Sequence, residues 1–151
     1  MARRESLTVP GTPDGVKAAA RGFDAFADQL DLPVTARWRF QVALDEVLSN
    51  VVRHAAARTI DLSFVLDDGV LNVGVADDGA AFDPMQMPSP ETTSALEDRR
   101  PGGLGVALVR ALMDAVSYER RDDRNHLTMI WRLRDDESPA PAAERGQRDD
   151  D

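Results

Sequence analysis

Three short segments in a fixed order constrain this chain most. Glu46-Val47-Leu48-Ser49-Asn50 sits inside a run of helical apolar spacing. Asp77-Asp78-Gly79 follows directly on a strand-patterned run, and Gly102-Gly103-Leu104-Gly105 opens a second helix-patterned run. At 151 residues the chain fits one domain large enough to bury a core. The segments must therefore share one scaffold.

The spacing of apolar residues outlines that scaffold. Ser6–Val9 reads as a strand, stopped by Pro10-Gly11-Thr12-Pro13. Val16, Ala19, Phe23, Phe26 and Leu30 recur at helical spacing. A second helix is expected to about Ala57, with Thr35 as its N-cap after Pro33. Strands follow at Ile60–Leu66 and Val70–Ala76, joined by Asp67-Asp68-Gly69, a strong hairpin signal. Residues 79–103 show little periodicity and carry four prolines, which suits a functional loop. A third helix is expected over Leu104–Ala115. Two strands, Val116–Arg121 and His126–Leu133, turn at Asp122–Asn125. This order predicts an α/β (α+β) two-layer sandwich: a mixed, mostly antiparallel sheet with helices on one face.

Each segment carries a chemical suggestion and a plainer one. Glu46, Asn50 and Arg53 share one side of the second helix, roughly opposite the stripe of Phe40, Leu44, Val47, Leu48 and Val51. Periodicity alone makes that a solvated face. Asp-x-Gly after a strand is also a common turn. Strand alternation would turn Asp77 and Asp78 to opposite sides, and a glycine permits close backbone approach. A glycine-rich helix opening offers free N–H groups and the helix dipole to an anion. This one is not a Walker A motif, because no Gly-Lys-Ser/Thr follows. His54 and His126 are the only histidines, and the chain has no cysteine, so a His or thiolate metal site is not expected.

Taken together, the three segments resemble the N, G1 and G2 boxes of the GHKL (Bergerat-fold) ATP-binding superfamily, which includes gyrase, histidine kinases and MutL. Phe82-Asp83-Pro84 after the Asp-x-Gly, with Ala81 where many histidine kinases have a second glycine, is most similar to one branch. That branch is the anti-sigma factor serine/threonine-protein kinases of bacterial partner switches. The resemblance covers roughly residues 5–134. It implies an ATP- and Mg²⁺-dependent protein kinase. Glu46 would be the general base and Asn50 the Mg²⁺ ligand. Asp77 and Gly79 would form the adenine site, with Thr128 contributing a hydroxyl near the base. Gly102, Gly103, Leu104 and Gly105 would cradle the phosphates, with Arg99 and Arg100 beside them. Residues 79–103 would be a lid over ATP. The implied partners are a sigma factor, a STAS-domain anti-anti-sigma protein phosphorylated on serine, and a second copy in a homodimer. Two alternatives stay open: a partner-switch kinase with a non-sigma target, and a non-enzymatic nucleotide-gated binding module.

Charge narrows the classes further. Residues 135–151 carry seven acids and two bases, so −5 of the net −9 lies in a Pro- and Ala-rich tail expected to be disordered. The expected domain, residues 1–134, is only mildly acidic, and direct nucleic-acid binding is not expected. No apolar run is long enough for a transmembrane helix, and no apolar stretch follows the basic N-terminus as in a secretory signal. With no cysteine, these features fit a cytoplasmic protein. Trp38 and Trp131 are expected to be packing residues.

Overall fold

Period-two alternation builds the sheet. The computed structural model describes residues 2–86 and 101–134, with side chains of the third helix described from Gly105 onward. The strands are β1 (Arg3–Pro10), β2 (Thr59–Asp67), β3 (Val70–Asp77), β4 (Ala115–Arg121) and β5 (Arg124–Arg132). They lie in the order β1-β2-β3-β5-β4. All four pairings are antiparallel, so no parallel pair occurs among the described strands. In β3, Leu71, Val73, Val75 and Asp77 point to the buried side. In β5, Asn125, Leu127, Met129 and Trp131 do the same. Asp77 and Asn125 are thus polar residues at apolar register positions, and they sit directly opposite each other.

Both hairpins turn through paired left-handed residues, which match the right-handed strand twist. Asp68 and Gly69 take φ 51° and 75° between β2 and β3, and Asp122 and Asp123 take 55° and 61° between β4 and β5.

Three helices supply the other layer. The first, α1 (Pro13–Gln29), starts with Pro13 in its first turn, and Thr12 accepts from Gly15 N at 3.1 Å as N-cap. The second, α2, runs over Val34–His54 and the third, α3, over Pro101–Leu112. Phe23, Phe40 and Phe64 are fully buried where α1, α2 and β2 meet. Phe23 packs edge-on to Phe64 at 5.5 Å and tilted to Phe40 at 5.8 Å. Trp131 lies under the guanidinium groups of Arg39 and Arg134, each 3.9 Å from its ring.

The elements expected from sequence are present, with shifted ends. Helix α2 begins at Val34 behind Pro33 with no side-chain cap, so Thr35 lies inside the helix. Helix α3 spans Pro101–Leu112 rather than Leu104–Ala115, and Gly102 and Gly103 are helical. Strand β5 starts at Arg124, which takes Asn125 out of the expected turn and into the sheet. Trp38 is half exposed rather than packed. The acidic tail, Arg99 and Arg100 lie outside the described residues.

Candidate functional site

The segment after β3 crosses the end of α2 and reaches α3, and this path gathers the polar groups. Asp77 is buried at 2% exposure. Its Oδ1 accepts from Gly79 N at 2.8 Å and from Asn125 Nδ2 at 2.9 Å. Oδ2 has no hydrogen bond among the described residues. Asp78 turns the other way, as alternation requires. It is exposed and accepts from Arg58 N, Thr59 N and Thr59 Oγ1 at 2.8, 3.1 and 3.3 Å. The Thr59 N–H beside it, with the other donors, holds its carboxyl below the usual range. Asp78 therefore fastens the end of β3 to the start of β2, while Asp77 faces the helices.

Gly79 has a packing reason as well as the expected one. A Cβ there would come within 2.3 Å of Ala55 O and 3.0 Å of Ala55 Cβ, at the end of α2. The next residue continues this approach, with Ala80 N donating to Ala55 O at 2.8 Å. Phe82 then stacks on His54 at 5.2 Å. Met85 O accepts from Arg110 Nη2 of α3 at 3.0 Å.

Glu46 meets the glycines at the far end. A Cβ on Gly105 would fall 1.9 Å from Glu46 Oε2 and 2.3 Å from its Cδ, so only glycine admits this carboxylate. Oε2 of Glu46 is buried and has no hydrogen-bond partner among the described residues. Desolvation raises its pKa above the ordinary 4.5, aided by the Asp45 charge and opposed by Arg53. Asn50, one turn on, is buried beside the apolar stripe rather than solvated. Its Oδ1 accepts from Arg53 Nη2 at 2.9 Å.

Helix α2 is thus the common floor: Ala55 meets Gly79, and Glu46 meets Gly105. Nine residues separate those contacts, about 14 Å of helix. An extended nucleoside triphosphate has a length of that order. Gly102, Gly103 and Leu104 lie in the first turn of α3, where N–H groups lack intrahelical partners. The glycines thus open the helix from within, rather than from a preceding turn.

Thr128 is not brought to this group. It alternates with Leu127 and Met129, so it faces the outer side of the sheet, opposite Gly74 and Ser117. There it lines a shallow depression with Ser6, Ser63 and His126, on the side away from Asp77. The position expected beside the base is occupied instead by Asn125, buried against Asp77. Its signal in the sequence was its parity with Leu127 and Met129, hidden by its nearness to Asp122-Asp123.

The oxygen donors suit a magnesium ion shared with phosphates. Asn50 offers one neutral oxygen, and Glu46 Oε2, unpartnered among the described residues, lies one turn away. The Arg53 hydrogen bond uses one of the two lone pairs of Asn50 Oδ1 and leaves the other for a metal. No group of three or more His, Cys, Asp or Glu residues among the described residues could hold an ion alone.

An antiparallel sheet under three helices, with a buried strand-end acid and a glycine-opened helix against a half-buried glutamate, defines a nucleotide-binding domain. Residues 9–131 match the model of the histidine kinase-like ATPase domain, and the chain belongs to that family. A serine/threonine-protein kinase, BtrW of Bordetella bronchiseptica, is 43% identical over 63% of this chain and 71% of its own length. Serine-protein kinase RsbW of Oceanobacillus iheyensis is 28% identical over 76% of this chain and 78% of its own. The crystal structure of the RsbU and RsbW domains of a Mycobacterium tuberculosis protein superposes with a TM-score of 0.62 at 14% identity. That match covers 86% of this chain and 32% of the other, and supports the fold.

Proposed function

We propose that this chain is an ATP-dependent protein serine/threonine kinase of a bacterial partner switch. In this reading it also acts as an anti-sigma factor: it holds a sigma factor and phosphorylates a serine of a STAS-type antagonist. The observation that carries the kinase reading is the Glu46 carboxylate, whose Oε2 is buried, unpartnered among the described residues and pressed against Gly105. An orphaned buried acceptor is costly, and it persists where it has a task. The names of the BtrW and RsbW relatives support the same activity.

The residues divide the work as follows. Asp77 accepts the adenine amino group, and Gly79 holds the strand end against α2. Gly102, Gly103, Leu104 and Gly105 present the first turn of α3 to the phosphates. Asn50 would hold Mg²⁺, which would offset the charge of the phosphates when bound. Glu46 takes the proton of the partner's serine hydroxyl as that oxygen bonds to the γ-phosphorus. The bond from the γ-phosphorus to its bridging oxygen breaks, and ADP leaves with that oxygen. The phosphoserine dianion then disfavours the kinase–antagonist interface.

We place this activity in the cytoplasm and in a homodimer. No helix among the described residues is long and apolar enough to cross a membrane. The sigma-factor reading is tested by capturing native partners on the protein with Mg-ADP and identifying them by mass spectrometry. Recovery of a sigma factor supports it. Recovery of only an antagonist or another regulator moves the same kinase to a different switch.

A further inference from the structure

Asn125 is the most completely used polar side chain near the candidate nucleotide site. It is 2% exposed. Its Nδ2 donates to Asp77 Oδ1 at 2.9 Å and to Ala80 O at 2.8 Å. Its Oδ1 accepts from Phe82 N at 3.1 Å, from the Tyr118 hydroxyl at 2.5 Å and from Arg120 Nη1 at 3.2 Å. Arg120 Nη1 also donates to Gly79 O at 2.8 Å.

These contacts leave the amide one orientation. Both donors of Nδ2 face acceptors, and Oδ1 faces three donors. A flip would set oxygen against the Asp77 carboxylate and the Ala80 carbonyl, and nitrogen against N–H groups. Asn125 consequently presents an N–H to Asp77 Oδ1 from β5, while Gly79 presents another from the turn. With Oδ1 held by two donors, the carboxylate plane is fixed and Oδ2 is kept as a pure acceptor.

Building on the nucleotide-site reading above, we propose that Asn125 is the residue that sets adenine selectivity, by holding Asp77 in the orientation that reads a 6-amino group. An acceptor fixed in place rewards a 6-amino purine, which donates there. It penalises a 6-oxo purine, whose oxygen would face the carboxylate. A carboxylate free to rotate loses most of that discrimination. The same amide binds Ala80 and Phe82, so it also ties the start of the 80–86 segment to the sheet. Asn125 is a positioning residue, acting through Asp77.

The test compares affinities of wild type and Asn125→Ala for Mg-ATP, Mg-GTP and Mg-purine riboside triphosphate, which lacks the 6-amino group. Thermal melts run alongside. Wild type is expected to prefer ATP over the 6-unsubstituted analogue by about tenfold or more, the scale of one hydrogen bond to a charged acceptor. In Asn125→Ala that preference should collapse toward one, with the affinity for the analogue changed much less. Tyr118→Phe keeps Asn125 and removes one donor to Oδ1, so it serves if the alanine variant fails to fold. Its preference for ATP should fall by about threefold. An equal loss for all three nucleotides, with the ATP preference retained, overturns the proposal and leaves Asn125 a structural tie. A retained preference in a folded Tyr118→Phe overturns it as well if the alanine variant cannot be measured. A wild type with no preference for ATP instead overturns the assignment of Asp77 to adenine.

Discussion

Glu46 and Gly105 interlock: the space where a Cβ of residue 105 would lie is filled by the Glu46 carboxylate, 1.9 Å away at Oε2. The contact joins the helix that carries the proposed base to the helix that receives the phosphates. It also places the Glu46 Oε2 atom out of contact with solvent on a helix face that periodicity alone leaves in water.

Gly105→Ala is therefore expected to displace the base more than it harms the fold. Alanine favours the helix by about 1 kcal/mol over glycine, which offsets part of the clash. A misplacement of the carboxylate on the ångström scale costs on the order of 100-fold in phosphotransfer. Single-turnover transfer measured beside a thermal melt separates the two effects. Wild-type rates in the variant would remove the contact from the mechanism.

Burial of Glu46 gives a signed pH dependence. Its folded pKa lies above 4.5, so the folded state holds the proton more tightly than the unfolded state. The associated stability is fully present below the unfolded value and is lost as pH rises through the raised folded value. Glu46→Gln removes this dependence. The melting temperature of wild type minus that of the variant should fall with rising pH across that window. Phosphotransfer should run the other way, rising with pH as the base loses its proton. A pH-independent difference in melting temperature would contradict the burial argument.

Asp77 and Asp78 should separate cleanly although adjacent. Asp78→Ala loses three exposed hydrogen bonds and costs stability of about 1 kcal/mol, discounted for solvent. Its lowered pKa means that its contribution holds above 3.8 and is lost as pH falls through the folded value. Asp77→Ala should abolish measurable ATP binding. Calorimetric titration with ATP of each variant checks this, and equal ATP affinities would refute the facing assigned to the pair.

Asp114 anchors the far edge of the sheet to the end of β5. It accepts from Arg134 Nη2 at 2.9 Å and from Arg132 N at 2.8 Å, with the Arg134 side-chain bonds the leading cause of a pKa held down to about 2. Its stabilisation is present above the unfolded value of 3.8 and fades as pH falls toward 2. Asp114→Asn should lower the melting temperature at neutral pH, and its difference from wild type should shrink as pH falls toward 2. The ATP affinity of the variant should stay unchanged.

Thr128→Val tests the sidedness of β5. Its hydroxyl faces the outer side of the sheet, so ATP affinity should stay within about twofold of wild type. A loss of tenfold or more would mean that the outer face communicates with the nucleotide.

The legible parts of this chain were those with strong period. Val70–Ala76 announced a strand by alternation, and Asp68-Gly69 announced its hairpin. Glu46, Asn50, Asp77 and Gly79 stood out because their spacing resembled a family. Two kinds of information were not legible. The first is which side of α2 is dry: Asn50 is buried on a flank that helical periodicity assigned to water. The second is the exact start of β5. Asn125 follows two aspartates, and local turn propensity pulled it out of the strand, whereas pairing with Asp77 holds it in. Both depend on long-range contacts that no local window contains. Gly79 had a readable identity, but its partner Ala55 is 24 positions away in sequence.

The most direct test of the central claim is transfer of labelled phosphate from γ-labelled Mg-ATP to the captured antagonist, by wild type and by Glu46→Gln. Phosphoserine is expected on the antagonist with wild type, and none with a variant that still binds ATP. No phosphoserine with an ATP-bound wild type would make the chain a nucleotide-gated binding module. Equal labelling by both proteins would contradict the role of Glu46.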